Sequence, residues 1–155
     1  MLQGFFEAMQ AWPVSQAIGA SIWIYPLIQA IHLVFLAFFA GGIIIVDLRL
    51  LGYGVRSKTI AQVARDARPW MIMGFLGLVA TGLPQLMQNA GREYFSEFFW
   101  YKMYLIALGL IFVLTVRRKM TQAAETTMST RVVGLISMAI WTGVTINARL
   151  IGLFT

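Results

Sequence analysis

Residues 18–46 read IGASIWIYPLIQAIHLVFLAFFAGGIIIV, an apolar run that meets no charge until Asp47 and holds the chain's one histidine, His32, near its middle. Crossing a hydrocarbon core of ~30 Å takes ~20 helical residues. This run is long enough, and so are residues 69–88, 98–116 and 132–154. Four such segments with short connections predict an all-α fold, an integral membrane four-helix up-down bundle forming a single transmembrane domain over residues 1–155. The composition agrees: 59% of the 155 residues are hydrophobic and 12% charged, with a mean hydropathy of +0.77, far too apolar for a soluble domain.

The charges say how the bundle sits. The net charge is +6, and nine of the twelve basic residues lie in two connections on one side: Arg49, Arg56, Lys58, Arg65 and Arg68, then Arg117, Arg118, Lys119 and Arg131. By the positive-inside rule these connections face the cytoplasm, which puts both termini and the 89–97 loop outside. The basic residues therefore imply a lipid bilayer as partner, and no nucleic acid. No basic segment precedes the first apolar run, so no removable leader is expected. Asp47 is expected to accept from Arg49 or from the 117–119 cluster in an ion pair that fixes helix orientation.

Two amphipathic stretches flank the spans. Leu2, Phe5, Phe6, Met9 and Trp12 recur at helical spacing up to Pro13, which predicts a short N-terminal interfacial helix against lipid or a neighbouring subunit. Ile60, Val63, Ala64 and Ala67 do the same behind a candidate Ser57 cap. That segment either rests on anionic headgroups or is a plain connecting helix.

Polar side chains within the spans gather on particular faces. Ser21, Tyr25, Gln29 and His32 follow one another at steps of four, four and three; Gly74, Gly77, Thr81, Gln85 and Gln88 line the second span; Thr142, Thr145 and Arg149 share a face of the fourth, and Lys102 opens the third. Together they predict a polar pocket open to the outside with His32 at its floor. At 1.5 Å per residue, Lys102 and Arg149 lie roughly 6 to 10 Å below the outer interface and His32 roughly 15 Å. His32, Lys102, Arg149, Tyr25 and Gln29 are the candidate cofactor-binding set. The plainer alternative has Lys102 and Arg149 snorkelling to headgroups, the small and hydroxyl residues gluing helices together, and Tyr25 belonging to an aromatic belt with Trp23, Trp100 and Tyr101.

The chain has no cysteine and no second histidine, so a metal held by protein ligands alone is excluded. Haem differs, because its macrocycle already supplies four nitrogens. On this reading His32 is the axial metal ligand of a haem b, and Lys102 and Arg149 meet its propionates. Residues level with His32 are Gly77, Leu110 and Gly143, none able to ligate, so the iron would be five-coordinate, water-ligated or shared with a second copy. Without haem, the same pocket suits a small anion or a quinone.

The pattern of Ser21-Ile-Trp-Ile-Tyr-Pro26, His32, Ala40-Gly41-Gly42, Asp47-Leu-Arg-Leu-Leu-Gly52, Pro69-Trp70 and Arg149 resembles an uncharacterised bacterial family of four-helix inner-membrane proteins. The resemblance implies a multi-pass protein of the bacterial inner membrane. More distantly, His32, Ala40-Gly41 and Lys102 are similar to a pattern in haem-dependent protoporphyrinogen oxidases and copper-resistance D-type membrane domains. That likeness implies haem ligation by His32 and a propionate or substrate contact for Lys102. Three readings follow: a small haem-binding or redox-linked membrane protein, a non-enzymatic accessory subunit of a larger membrane complex or homo-oligomer, and a small anion-binding or transport protein.

Overall fold

A proline divides the apolar run that was expected to form one helix over 18–46. Inside a helix, Pro26 would remove a hydrogen bond and clash with the carbonyl four residues back. The chain instead breaks at Ser21–Trp23, and a new helix starts at Ile24, so that Pro26 falls in a first turn where backbone donors are unpaired anyway. The Ser21 hydroxyl accepts from the N–H groups of Trp23 and Ile24 at 3.4 and 3.3 Å. Likewise Pro13 does not merely close the first helix: it opens the second at N1, a position that suits its fixed φ.

The computed structural model describes residues 2–123 and 125–154, with side chains for 3–123 and 125–151; the side chain of Leu2, one of the predicted interfacial residues, lies outside these. The elements are α1 (Leu2–Ala11), α2 (Pro13–Ala20), α3 (Ile24–Leu50), α4 (Ile60–Gln88), α5 (Ala90–Tyr94) and α6 (Glu97–Phe112). A π-helical turn (Val113–Arg117) then leads into α7 (Arg118–Met120), and α8 (Met128–Phe154) ends the chain. No strand occurs among the described residues. Four helices, Ile24–Leu50, Ile60–Gln88, Glu97–Met120 and Met128–Ile151, are long and apolar enough to cross a membrane. The protein is an all-α, multi-pass membrane bundle.

The second span departs from expectation in a useful way. Thr59, not Ser57, caps α4, in a reciprocal box: Thr59 Oγ1 accepts from the Gln62 N–H at 3.2 Å and Gln62 Oε1 accepts from the Thr59 N–H at 2.9 Å. The helix then runs through Pro69 without a break, so residues 60–68 are the first turns of the span itself. Their apolar stripe does not rest on headgroups. Ile60, Val63 and Ala67 are buried against Val46, Leu50 and Val133.

Helix α3 is the spine. It packs on α4 along one side and on α8 along the other, α8 packs on α6, and α1 and α2 lie over α5 and the adjoining end of α4. Small residues permit the approach. A Cβ on Gly74 would lie 2.6 Å from the Phe39 nitrogen and 2.9 Å from the Phe35 carbonyl oxygen, and one on Gly77 would overlap the Phe35 ring. Two apolar cores result. One, at the end of the bundle with the basic connections, is built from Val46, Leu50, Ile60, Val63, Ala67 and Val133; the other, at the α5 end, joins Phe6, Ala90, Phe99 and Ile151.

An ion pair ties the basic end. Arg117 Nε donates to Asp47 Oδ1 at 2.8 Å and Nη2 to the Ile43 carbonyl at 3.0 Å, with the side chains 4% and 0% exposed. Of the two partners expected for Asp47, Arg49 and the 117–119 cluster, the structure pairs it with the cluster, and within it the π-helical turn selects Arg117. One extra residue in that turn shifts the register of all that follows.

Candidate functional site

At the α5 end, α6 leans on α8 rather than on α4, which leaves a space between α3, α4, α5 and α6. It has a volume of about 130 Å³ and is walled by Tyr25 and His32 from α3, Gln85 and Asn89 at the end of α4, Glu93 from α5 and Lys102 from α6, with Phe99 beside the last. By helix rise, His32 stands roughly 12 Å into α3 and Lys102 roughly 8 Å into α6.

The His32 ring is held in one protonation geometry. Its Nδ1 lies 2.7 Å from Thr81 Oγ1, and the Thr81 hydroxyl gives its only proton to the Gly77 carbonyl at 2.6 Å. A hydroxyl whose proton is already committed can only accept. Nδ1 must therefore carry a proton, which in the neutral ring leaves the lone pair on Nε2. Gly82 of α4 lies beside the ring, where an added Cβ would make ordinary van der Waals contact with His32 Cε1 at 3.4 Å.

Charge in the chamber is only partly matched. Lys102 Nζ lies over the Phe99 ring, 5.3 Å from its centroid. The ion pairs among the described residues are Lys58 with Asp66 and Arg117 with Asp47, so Lys102 is not in contact with a carboxylate. Glu93 Oε2 is buried without a hydrogen-bond partner. Burial pushes the Glu93 carboxyl above the ordinary carboxylate range, opposed by the charges of Lys102 and Arg92. The Tyr25 hydroxyl oxygen accepts from Asn89 Nδ2 at 3.2 Å, which leaves its own proton free to be donated.

A family model described as a family of unknown function (DUF6644) matches residues 14–154. The chain belongs to DUF6644. No curated protein and no solved structure matches it, and none of these comparisons links it to haem oxidases or copper-resistance domains.

Of the site residues expected from the sequence of this DUF6644 chain, Tyr25, His32 and Lys102 line the chamber, whereas Gln29 and Arg149 are exposed and lie outside its wall. Helix phase explains both departures. Tyr25 precedes His32 by seven residues and so is only about 20° out of phase, while Gln29, three residues back, is about 60° away. Arg149 is two residues from buried Ile151, which turns it roughly 160° away from that packed face. Sequence reading missed Glu93 and Asn89 because they fall in what read as an outer loop. The one available signal was a carboxylate beside Arg92, one of two, with Glu97, in the loop that precedes Lys102.

The DUF6644 chamber was also tested against haem. The donor chemistry fits, because Nδ1–H held by a hydroxyl leaves Nε2 available, the arrangement that ligating histidines use. The space does not: about 130 Å³ is well below the ~300–1,000 Å³ of ordinary small-molecule sites. Nor do any three or more His, Cys, Asp or Glu side chains among the described residues group to hold a metal ion.

Proposed function

We propose that this DUF6644 protein is a multi-pass protein of the bacterial inner membrane whose chamber at the α5 end binds a small anion. The observation that carries this reading is Lys102, an ammonium in the chamber wall that meets a ring face at 5.3 Å and no ion-paired carboxylate. An anion beside it would gain a charge-assisted hydrogen bond, and the uncommitted Tyr25 proton would supply a second donor. A volume of about 130 Å³ corresponds to about four waters at ~30 Å³ each, so the ligand class is an ion of a few heavy atoms such as chloride, nitrate or formate. The basic connections at the opposite end favour an orientation with those connections in the cytoplasm and the chamber and termini outside.

Calorimetric titration of chloride, nitrate and formate into detergent-solubilised protein tests this reading. Binding to wild type that is lost in Lys102→Met, with far-UV dichroism unchanged, is the expected result. A wild type that binds none of the three, or a Lys102→Met variant that binds as well, would refute it.

A second reading, haem b on His32, is favoured by the protonation state that Thr81 imposes on the imidazole. It needs α6 to move away from α3 and α4 before a macrocycle can enter. A Soret band in protein prepared with haem supplied, and lost in His32→Ala, would support it; a colourless preparation would end it.

A further inference from the structure

Resting on the small-anion reading, we propose that the chamber takes up its monoanion together with one proton, and that the proton settles on Glu93.

The governing quantity is charge among half-buried groups. Lys102 and an ionised Glu93 sum to zero. A monoanion entering that pair would leave a net negative charge in the chamber, and an uncompensated charge away from water is strongly disfavoured. One proton delivered with the anion restores neutrality. Glu93 is placed to accept it: its side chain is part of the chamber wall, Oε2 is buried with no hydrogen-bond partner, and once protonated the carboxyl becomes a donor. The step balances as a monoanion, a proton and the Glu93 carboxylate giving the bound anion and the Glu93 carboxylic acid, with no bond to carbon made or broken.

The surroundings fit this assignment. From α5 itself Arg92 acts on the carboxylate, and from α6 Lys102; Tyr25 and His32 of α3 share the chamber wall with it, and α1, packed on α5, carries the exposed Glu7, whose carboxylate accepts from Gln3 Nε2 at 3.0 Å. The chamber residues from α4, Gln85 and Asn89, are neutral. The charges of Lys102 and Arg92 oppose the effect of burial on the Glu93 carboxyl. An anion that engages Lys102 weakens the larger of those two influences, so anion and proton favour each other by the reciprocity of linked equilibria.

Calorimetry of chloride binding in two buffers of different ionisation heat gives the number of protons taken up per ligand. For wild type we expect about one, with affinity falling about tenfold per pH unit as pH rises above the range where free Glu93 titrates. Glu93→Gln, an amide that mimics the protonated acid, should still bind chloride with no proton uptake and no pH dependence. Binding of chloride to wild type without proton uptake overturns the proposal and leaves the anion reading standing. Uptake that persists in Glu93→Gln but vanishes in His32→Gln also overturns it, by moving the proton to the imidazole. Failure of chloride, nitrate and formate alike to bind wild type overturns the anion reading, and this inference with it. The wild-type pH dependence requires no variant to fold.

Discussion

Substituting Gly74 with alanine tests the contact on which the chamber's geometry depends, the seam between α3 and α4. The added Cβ would sit 2.6 Å from the Phe39 nitrogen and 2.9 Å from both the Phe35 carbonyl oxygen and Phe39 Cα. These are backbone atoms of a long helix, so no side chain can swing away and the helices themselves must separate. Overpacking of this kind costs ~1–3 kcal/mol, and a backbone neighbour puts Gly74 at about 3. Alanine regains about 1 kcal/mol of helix propensity. The net loss is about 2 kcal/mol, roughly a 30-fold shift in the folding equilibrium. Gly41, one face round on α3, provides the control: a Cβ there meets nothing within 4 Å, so Gly41→Ala should gain up to about 1 kcal/mol. Reversible unfolding in mixed micelles, followed by far-UV dichroism, measures both. If Gly74→Ala proves as stable as Gly41→Ala, the close approach of α3 and α4 is wrong, and the position of Thr81 opposite His32 fails with it.

Removing either partner of the buried Asp47–Arg117 pair should cost about 3–5 kcal/mol by stranding the other charge, whereas the double variant Asp47→Leu/Arg117→Met should recover most of that loss; equal losses in single and double variants would contradict a direct pair. Because the chain has one histidine, selective ¹⁵N-histidine labelling reports His32 alone: wild type should show the Nδ1–H tautomer and Thr81→Val should lose that preference, while an Nε2–H ring in wild type would break the hydrogen-bond assignment. The burial that raises Glu93 also carries a sign for stability. Between the unfolded and the raised folded pKa the native state binds the extra proton, so stability falls as pH rises through that window and stays lower above it. Melting temperatures across pH should show this loss in wild type and a shallower one in Glu93→Gln; identical profiles would place Glu93 in water.

How far the sequence alone reached can be read from particular residues. The four spans, the grouping of the basic residues and the pairing of Asp47 with the 117–119 cluster follow from hydropathy and charge, which act over lengths comparable to the helices themselves. Boundaries were harder because single residues decide them. Pro26 moves a helix start by six residues from the edge of the apolar run at Ile18, while Pro69 is passed over within α4, and hydropathy treats the two alike. The stripe of Ile60, Val63 and Ala67 had the right period but the wrong partner, because periodicity reports an apolar face without saying whether lipid or protein covers it. In the chamber, Tyr25 and His32 shared a legible face and Lys102 was legible as a cation within a span. Gln29 and Arg149 lie outside the chamber wall, the first about 60° out of phase with His32 and the second on the opposite side of α8 from buried Ile151. Glu93 was out of reach, since its place depends on α5 folding back over the end of α4, held there by Phe6 against Tyr94 and Phe99 with ring centroids 5.3 and 6.3 Å away and by Gln10 Oε1 accepting from the Gly91 N–H at 3.1 Å. Those contacts join α1 to α5 and α6, and no local pattern encodes them.

Bromide, an anion that scatters anomalously, gives the most direct measurement of the central claim. In crystals of the protein grown or soaked with bromide, the account predicts an anomalous peak in the space between His32, Glu93 and Lys102, within hydrogen-bonding distance of Lys102 Nζ and absent from Lys102→Met crystals prepared in the same way. A chamber with no anomalous density at full occupancy of surface sites, or a peak that survives the loss of Lys102, would contradict it.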